Sequence, residues 1–212
     1  MRRLTPLLPA PLACIALLLA TPGQAFAAAV TGSVTDGNGA PVADAVLYAI
    51  PVGATAGAAV QPGTMDQVNK EFLPLVVPIQ AGALVRFPNK DNIRHHVYSF
   101  SPARPFELKL YSGTPSKPVK FDKPGPVVLG CNIHDWMVGY IYVVDTPYFA
   151  KTDKSGAARL DGLPSGEYLL HIWHPYAKAE TAPRPLRLAD GGAENAAFRL
   201  DLAPPQTAPA NR

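Results

Sequence analysis

The chain has 212 residues, with 19 Lys and Arg against 16 Asp and Glu, a formal net charge of +3. Two of those positive charges, Arg2 and Arg3, lie in a segment that reads as an export leader, so the remainder is close to neutral. Such a balance carries no electrostatic footprint for nucleic acid, and that class of partner is set aside.

The leader is expected over residues 1–27. Arg2 and Arg3 form its basic start, residues 12–20 an apolar run, and Ala25-Phe26-Ala27 a small-x-small cleavage site. Neither that run nor any later one is long enough to cross a bilayer as a helix, so no membrane span is expected. A twin-arginine reading fits poorly with the Leu4-Thr5-Pro6 that comes next. Cys14 sits in the middle of the apolar run and reads as lost with it. The expected location is periplasmic or secreted.

Beyond the leader the chain has no long helical periodicity. Short β-branched and aromatic runs are punctuated by Gly and Pro, the pattern of an all-β protein. Strands are read at Val34, Val46-Leu47-Tyr48, Val76-Val77, Leu84-Val85-Arg86-Phe87, His96-Val97-Tyr98, Val127-Val128-Leu129 and Tyr140-Ile141-Tyr142-Val143-Val144. A helical turn is read over residues 65–70. Later strands are expected at Ala158-Arg159-Leu160, around Tyr168-Leu169-Leu170-His171-Ile172, and at Phe198-Arg199-Leu200-Asp201-Leu202. Residues 203–212, with three prolines and no large apolar side chain, read as a disordered tail.

The chemistry concentrates in Cys131-Asn132-Ile133-His134-Asp135-Trp136-Met137. A thiolate, an imidazole and a thioether spaced C-x2-H-x2-M can converge on one ion if the segment is a loop between strands. That mixture suits copper cycling between Cu(I) and Cu(II), because thiolate and thioether favour the reduced ion and imidazole accepts both. The pair His95-His96 offers a second imidazole. Neighbours on a strand face opposite sides, so only one of the two enters the site easily. Once the leader is gone Cys131 is unpaired in an oxidising compartment, and coordination gives such a thiol a task. Zinc accepts Cys and His but rarely a thioether. A binuclear copper site needs a second cysteine nearby. A Cys131–His134 nucleophile–base pair lacks any oxyanion or acid signal to support hydrolysis. His171 and His174 flank Trp173 and read as packing or surface residues.

Two resemblances organise these motifs. Residues 77–144 carry the order Ala83-Leu84-Val85-Arg86-Phe87-Pro88-Asn89, then His95-His96-Val97, then Pro124-Gly125-Pro126-Val127-Val128-Leu129-Gly130-Cys131 and the ligand loop. This resembles the cupredoxins, most closely the amicyanin and plastocyanin type, and is similar to bacterial proteins of the methylamine-utilisation type. The Gly-Ser-Val-Thr-Asp-Gly-Asn-Gly-Ala-Pro-Val run at 32–42, Lys-Thr-Asp-Lys-Ser-Gly at 151–156 and Leu-Pro-Ser-Gly-Glu-Tyr at 163–168 resemble the carboxypeptidase-regulatory or transthyretin-like β-sandwich. Together they imply a cupredoxin Greek-key β-sandwich at 62–146, inserted in or laid beside a small transthyretin-like β-sandwich at 28–61 and 147–202. The junctions are expected at residues 53–63 and 145–147.

The cupredoxin resemblance implies four copper ligands, His95, Cys131, His134 and Met137, and favours His95 over His96. At position 96 that family usually has an asparagine, which ties the ligand strand to the ligand loop. It also implies one copper ion carrying single electrons rather than an enzyme, since four protein ligands leave no open position for substrate. The implied partners are redox proteins, such as a c-type cytochrome or a periplasmic dehydrogenase. Trp136 and Pro115 are candidates for an apolar patch beside His134. The rival readings are a copper-binding or chaperone protein that stores Cu(I) without electron transfer, and a β-sandwich binding module with a vestigial copper site.

Overall fold

The computed structural model describes residues 27–53, 57 and 60–204. Most of the expected leader and of the expected tail, and part of the first expected junction, lie outside the described residues. Among the described residues the protein is all-β, with no helix and therefore none long and apolar enough to cross a membrane.

In chain order the strands are β1 (Ala28–Asp36), β2 (Val46–Pro51), β3 (Gly63–Thr64), β4 (Asp66–Val68), β5 (Glu71–Leu73) and β6 (Val76–Gln80). Then come β7 (Ala83–Arg86), β8 (His95–Ser99), β9 (Phe106–Tyr111), β10 (Val119–Phe121), β11 (Gly125–Gly130) and β12 (Val138–Val144). The chain closes with β13 (Phe149–Lys151), β14 (Ala157–Leu163), β15 (Gly166–Trp173), β16 (Arg184–Leu188) and β17 (Ala193–Leu200).

Four sheets stack as layers: β14-β1-β17, then β13-β2-β15-β16, then β6-β12-β11-β8-β9, then β10-β7-β3. Two-residue alternation decides what lies between them. Leu47 and Ala49 of β2 face a first core with Val30 and Val34 of β1 and Leu160 of β14. Val46 and Tyr48, the alternate set of the same strand, face the other way. Ile141 and Val143 of β12 enter a second core with Val85, Phe87, Val97, Phe121 and Leu129. Tyr140 and Val144 of β12 meet Val46 and Val76 in a third cluster, the seam between the middle layers. A strand buried on both faces needs apolar side chains at nearly every position, which is why 140–144 reads as an unbroken run. Each valine fully buried in that seam contributes about 1.5–3 kcal/mol.

The helical turn expected at 65–70 is instead a hairpin. β4 and β5 pair antiparallel with Gln67 opposite Phe72, and both side chains are buried. Asn69 and Lys70 close it with φ of 55° and 62°, the two positive values that a two-residue type I′ turn demands. The buried partner decides the outcome, since Phe72 packs where Gly139 of β12 leaves room for it. The strands β3, β9, β10, β13 and β16 also go beyond those read from sequence. The final strand starts five residues earlier than expected, because β17 pairs in parallel with β1 from Ala29↔Ala193 onward. Ala203, the first residue of the expected tail, still donates its N–H to Tyr176 O.

Candidate metal centre

β8 and β11 are antiparallel neighbours, so the start of one lies beside the end of the other. His95 opens β8, and Cys131 comes directly after Gly130, the last residue of β11. The loop from Cys131 to Met137 then folds back into β12, closed by a hydrogen bond from Met137 N–H to His134 O at 3.0 Å. The strands thus hold one imidazole and the sulfur, while the loop carries the second imidazole to them.

The distances are those of a shared site. Cys131 Sγ lies 3.8 Å from His95 Nδ1 and 3.9 Å from His134 Nδ1, and the three donor atoms all fall within 4.8 Å of one another. Metal–imidazole and metal–thiolate bonds of about 2.0 and 2.3 Å give an N···S edge of about 3.7 Å around a trigonal ion. The donor set therefore fits one ion with little rearrangement. His95 is 0%, Cys131 3% and His134 8% exposed. Met137, 1% exposed, packs in the same core cluster as Cys131. Burial, then the neighbouring His95 and Lys70, holds the His134 imidazole below its ordinary pKa against a smaller opposing pull from Asp91. A neutral imidazole is the form that donates a lone pair to a metal.

His95 and His96 separate as alternation demands. His96 turns to the other face of the sheet, with Nε2 3.0 Å from Glu107 Oε1 and Asn132 Nδ2 3.5 Å from its ring nitrogens. His96 and Asn132 thus join the strand that carries His95 to the loop that carries His134. The link sits where the cupredoxin resemblance expects an asparagine to make it.

Behind His95 stands Asp91, which the motifs alone did not single out. Its Oδ2 is 2.7 Å from His95 Nε2 and accepts the N–H of Lys70 at 2.9 Å, while Oδ1 accepts the N–H of Asn69 at 2.6 Å. An acceptor at Nε2 keeps the proton there and leaves the Nδ1 lone pair facing Cys131. Burial pushes the Asp91 carboxyl up, but the Lys70, His95 and Asn69 donors outweigh it and hold it below the usual carboxylate range. Asn89 orders the same loop: its Oδ1 accepts the N–H of Asp91, and its Nδ2 donates to Ile93 O and Tyr111 O. Tyr111, opposite His95 across a register shift between β8 and β9, donates its hydroxyl to Phe87 O at 2.8 Å and also meets Gln67 Nε2. Burial pushes its phenol up to about 12, against Gln67 and with Cys131, so it stays protonated. The only sequence signal for Asp91 is a carboxylate four residues before a histidine. That spacing has no meaning until the loop's path is known.

Of the remaining candidates, Trp136 lies against His134. The Trp136 ring centroid is 5.2 Å from that of His134, and Trp136 is half-buried beside the exposed Ile133. Pro115 is half-buried in the loop between β9 and β10. His174 is buried, accepting the N–H of Tyr176 at Nδ1, and His171 stacks on Tyr48. Neither belongs to the metal-ligating cluster, the one such group among the described residues.

No protein-family model and no curated protein matches this chain. Among solved structures it is similar to a copper-containing nitrite reductase from Thermus scotoductus SA-01, at 30% identity over 45% of this chain, with a TM-score of 0.37. This chain spans 25% of that reductase chain. A purple cupredoxin from Nitrosopumilus maritimus is 20% identical over 40% of this chain and 100% of its own, with a TM-score of 0.35. A reduced amicyanin variant is 18% identical over 46% of this chain and 99% of its own, with a TM-score of 0.35.

Proposed function

We propose that this chain is an exported mononuclear copper protein that passes single electrons between redox partners. In this reading His95, Cys131 and His134 would hold the ion, with Met137 as a fourth, weaker ligand. The observation that carries it is one buried sulfur 3.8 and 3.9 Å from two imidazole nitrogens. Copper bound there would supply a one-electron couple, since this mixture of thiolate and imidazole donors suits both Cu(I) and Cu(II).

The protein's own residues prepare that geometry. Asp91 holds the His95 tautomer, His96 and Asn132 join ligand strand to ligand loop, and burial keeps His134 neutral. With Met137 as the fourth ligand the site would leave no open position for a substrate, which favours a carrier over an enzyme. The half-buried Trp136 against His134, with Ile133 exposed nearby, provides a surface for a c-type cytochrome or a periplasmic dehydrogenase. The division into a copper-binding sandwich at 62–146 and a transthyretin-like companion at 28–61 and 147–202 belongs to the same proposal. It is supported by a first core built from residues 28–49 and 158–200 and a second built from 65–143.

The test is the visible spectrum of the copper-loaded protein. An intense thiolate-to-copper(II) charge-transfer band, reversibly bleached by reductant and absent in Cys131→Ser, is the expected result. A colourless protein that retains only Cu(I) makes it a copper store instead, and unchanged colour in Cys131→Ser sinks the ligand assignment.

A further inference from the structure

Along the seam between the middle layers lies a cavity of about 320 Å³ that the metal site does not use. Two stacked ring pairs form part of its wall. The Tyr48 ring lies on His171 with centroids 4.8 Å apart and planes 11° apart. The Tyr142 ring lies on Trp173 at 4.3 Å and 15°. The two tyrosine rings are inclined at 51°, and their hydroxyls meet at 3.1 Å. Glu180 and Thr181 complete the lining, and no lysine or arginine contributes to it.

The charge around this space is one-sided. Glu180 has no ion-pair partner among the described residues. Its carboxylate lies close enough to add to the upward push on the Tyr48 and Tyr142 phenols, whose main cause is burial. Both lining histidines, His171 and His174, are held below their ordinary pKa by burial, so neither brings a competing positive charge near pH 7. His171 Nε2 is buried with no hydrogen-bond partner.

We propose that this cavity binds a small organic ammonium ion, with the Tyr48, Tyr142 and Trp173 rings facing its apolar shell and Glu180 supplying the counter-charge. Ring faces carry negative potential and attract cations, most strongly where water is excluded. A neutral guest gains nothing from Glu180, and an anion is repelled by the carboxylate. A cavity of this size accommodates a tetraalkylammonium or a protonated amine of a few carbons. The cavity shares no lining residue with the metal site, so binding there does not depend on whether copper binds.

The test uses the full chain and tetramethylammonium chloride at constant ionic strength, with tert-butanol as the neutral guest of the same shape. Calorimetry tracks binding, and tryptophan fluorescence in a Trp136→Phe background reports on Trp173 alone, since the chain has two tryptophans. The expected result is saturable binding of tetramethylammonium, none of tert-butanol, and affinity about two- to fivefold weaker in Glu180→Gln, the range for a partly exposed charge pair. Glu180 is exposed, so that variant leaves the seam packing in place. Absence of saturable binding, an equal response to tert-butanol, or undiminished affinity in Glu180→Gln each overturns the proposal.

Discussion

Replacing Asp91 by Asn separates what the carboxylate does for the metal from what it does for the loop. The amide oxygen of Asn still accepts the N–H of Asn69, now 2.6 Å from Asp91 Oδ1, but the amide nitrogen in place of Oδ2 cannot accept the N–H of Lys70, now at 2.9 Å. One bond is weakened to a neutral acceptor and the other is lost, so metal-free stability falls by about 1–3 kcal/mol. At His95 the loss differs in kind. A side chain with one acceptor already committed to the turn offers Nε2 an N–H instead, and the tautomer that aims the Nδ1 lone pair at Cys131 loses its support. Removing the outer partner of a metal-bound histidine costs about 10–100-fold in metal affinity, or roughly 1.4–2.7 kcal/mol. Urea denaturation of the metal-free protein reads the first quantity, and Cu(I) competition against a chelator of known affinity reads the second. Asp91→Asn with wild-type copper affinity would refute the argument, whatever happens to the urea midpoint.

Other expectations rest on the same geometry. His95→Asn abolishes stoichiometric copper binding while His96→Asn retains it, as read by metal analysis after gel filtration, because only His95 approaches Cys131. Gly139→Ala brings a methyl group to 2.7 Å from Phe72 Cβ and lowers the urea-derived stability by about 1–3 kcal/mol. His171 and His174 sit below the ordinary histidine pKa of about 6.5, so the folded state binds protons less readily than the unfolded one. Their contribution is constant above that value and is lost as the pH falls from about 6.5 through their folded pKa values. The urea midpoint should therefore drop between pH 7.5 and 5.5, and His174→Gln should flatten that drop.

The histidine pair shows how far local pattern reaches. Alternation along a strand establishes that His95 and His96 diverge, but not which one turns inward. That depends on β8 lying beside β11, with Val97 and His95 facing the second core. The hairpin at 66–73 shows a related limit. Met65-Asp66-Gln67-Val68-Asn69-Lys70 carries weak local preferences, and burial of Gln67 and Phe72 against distant strands overrides them.

The all-β class, most strands and the donor chemistry concentrated between Cys131 and Met137 were legible in the order of residues. These are local properties, set by side-chain type and by which residues are near neighbours along the backbone. The tertiary arrangement was needed to establish that His95 stands 3.8 Å from Cys131, that Asp91 backs it, and that Tyr48, Tyr142 and Trp173 line a cavity. Each of those pairings joins residues far apart along the chain or across a loop of irregular path. Their distances are consequences of which strands pair, how the loops run and how the sheets stack, none of which spacing within a single segment encodes.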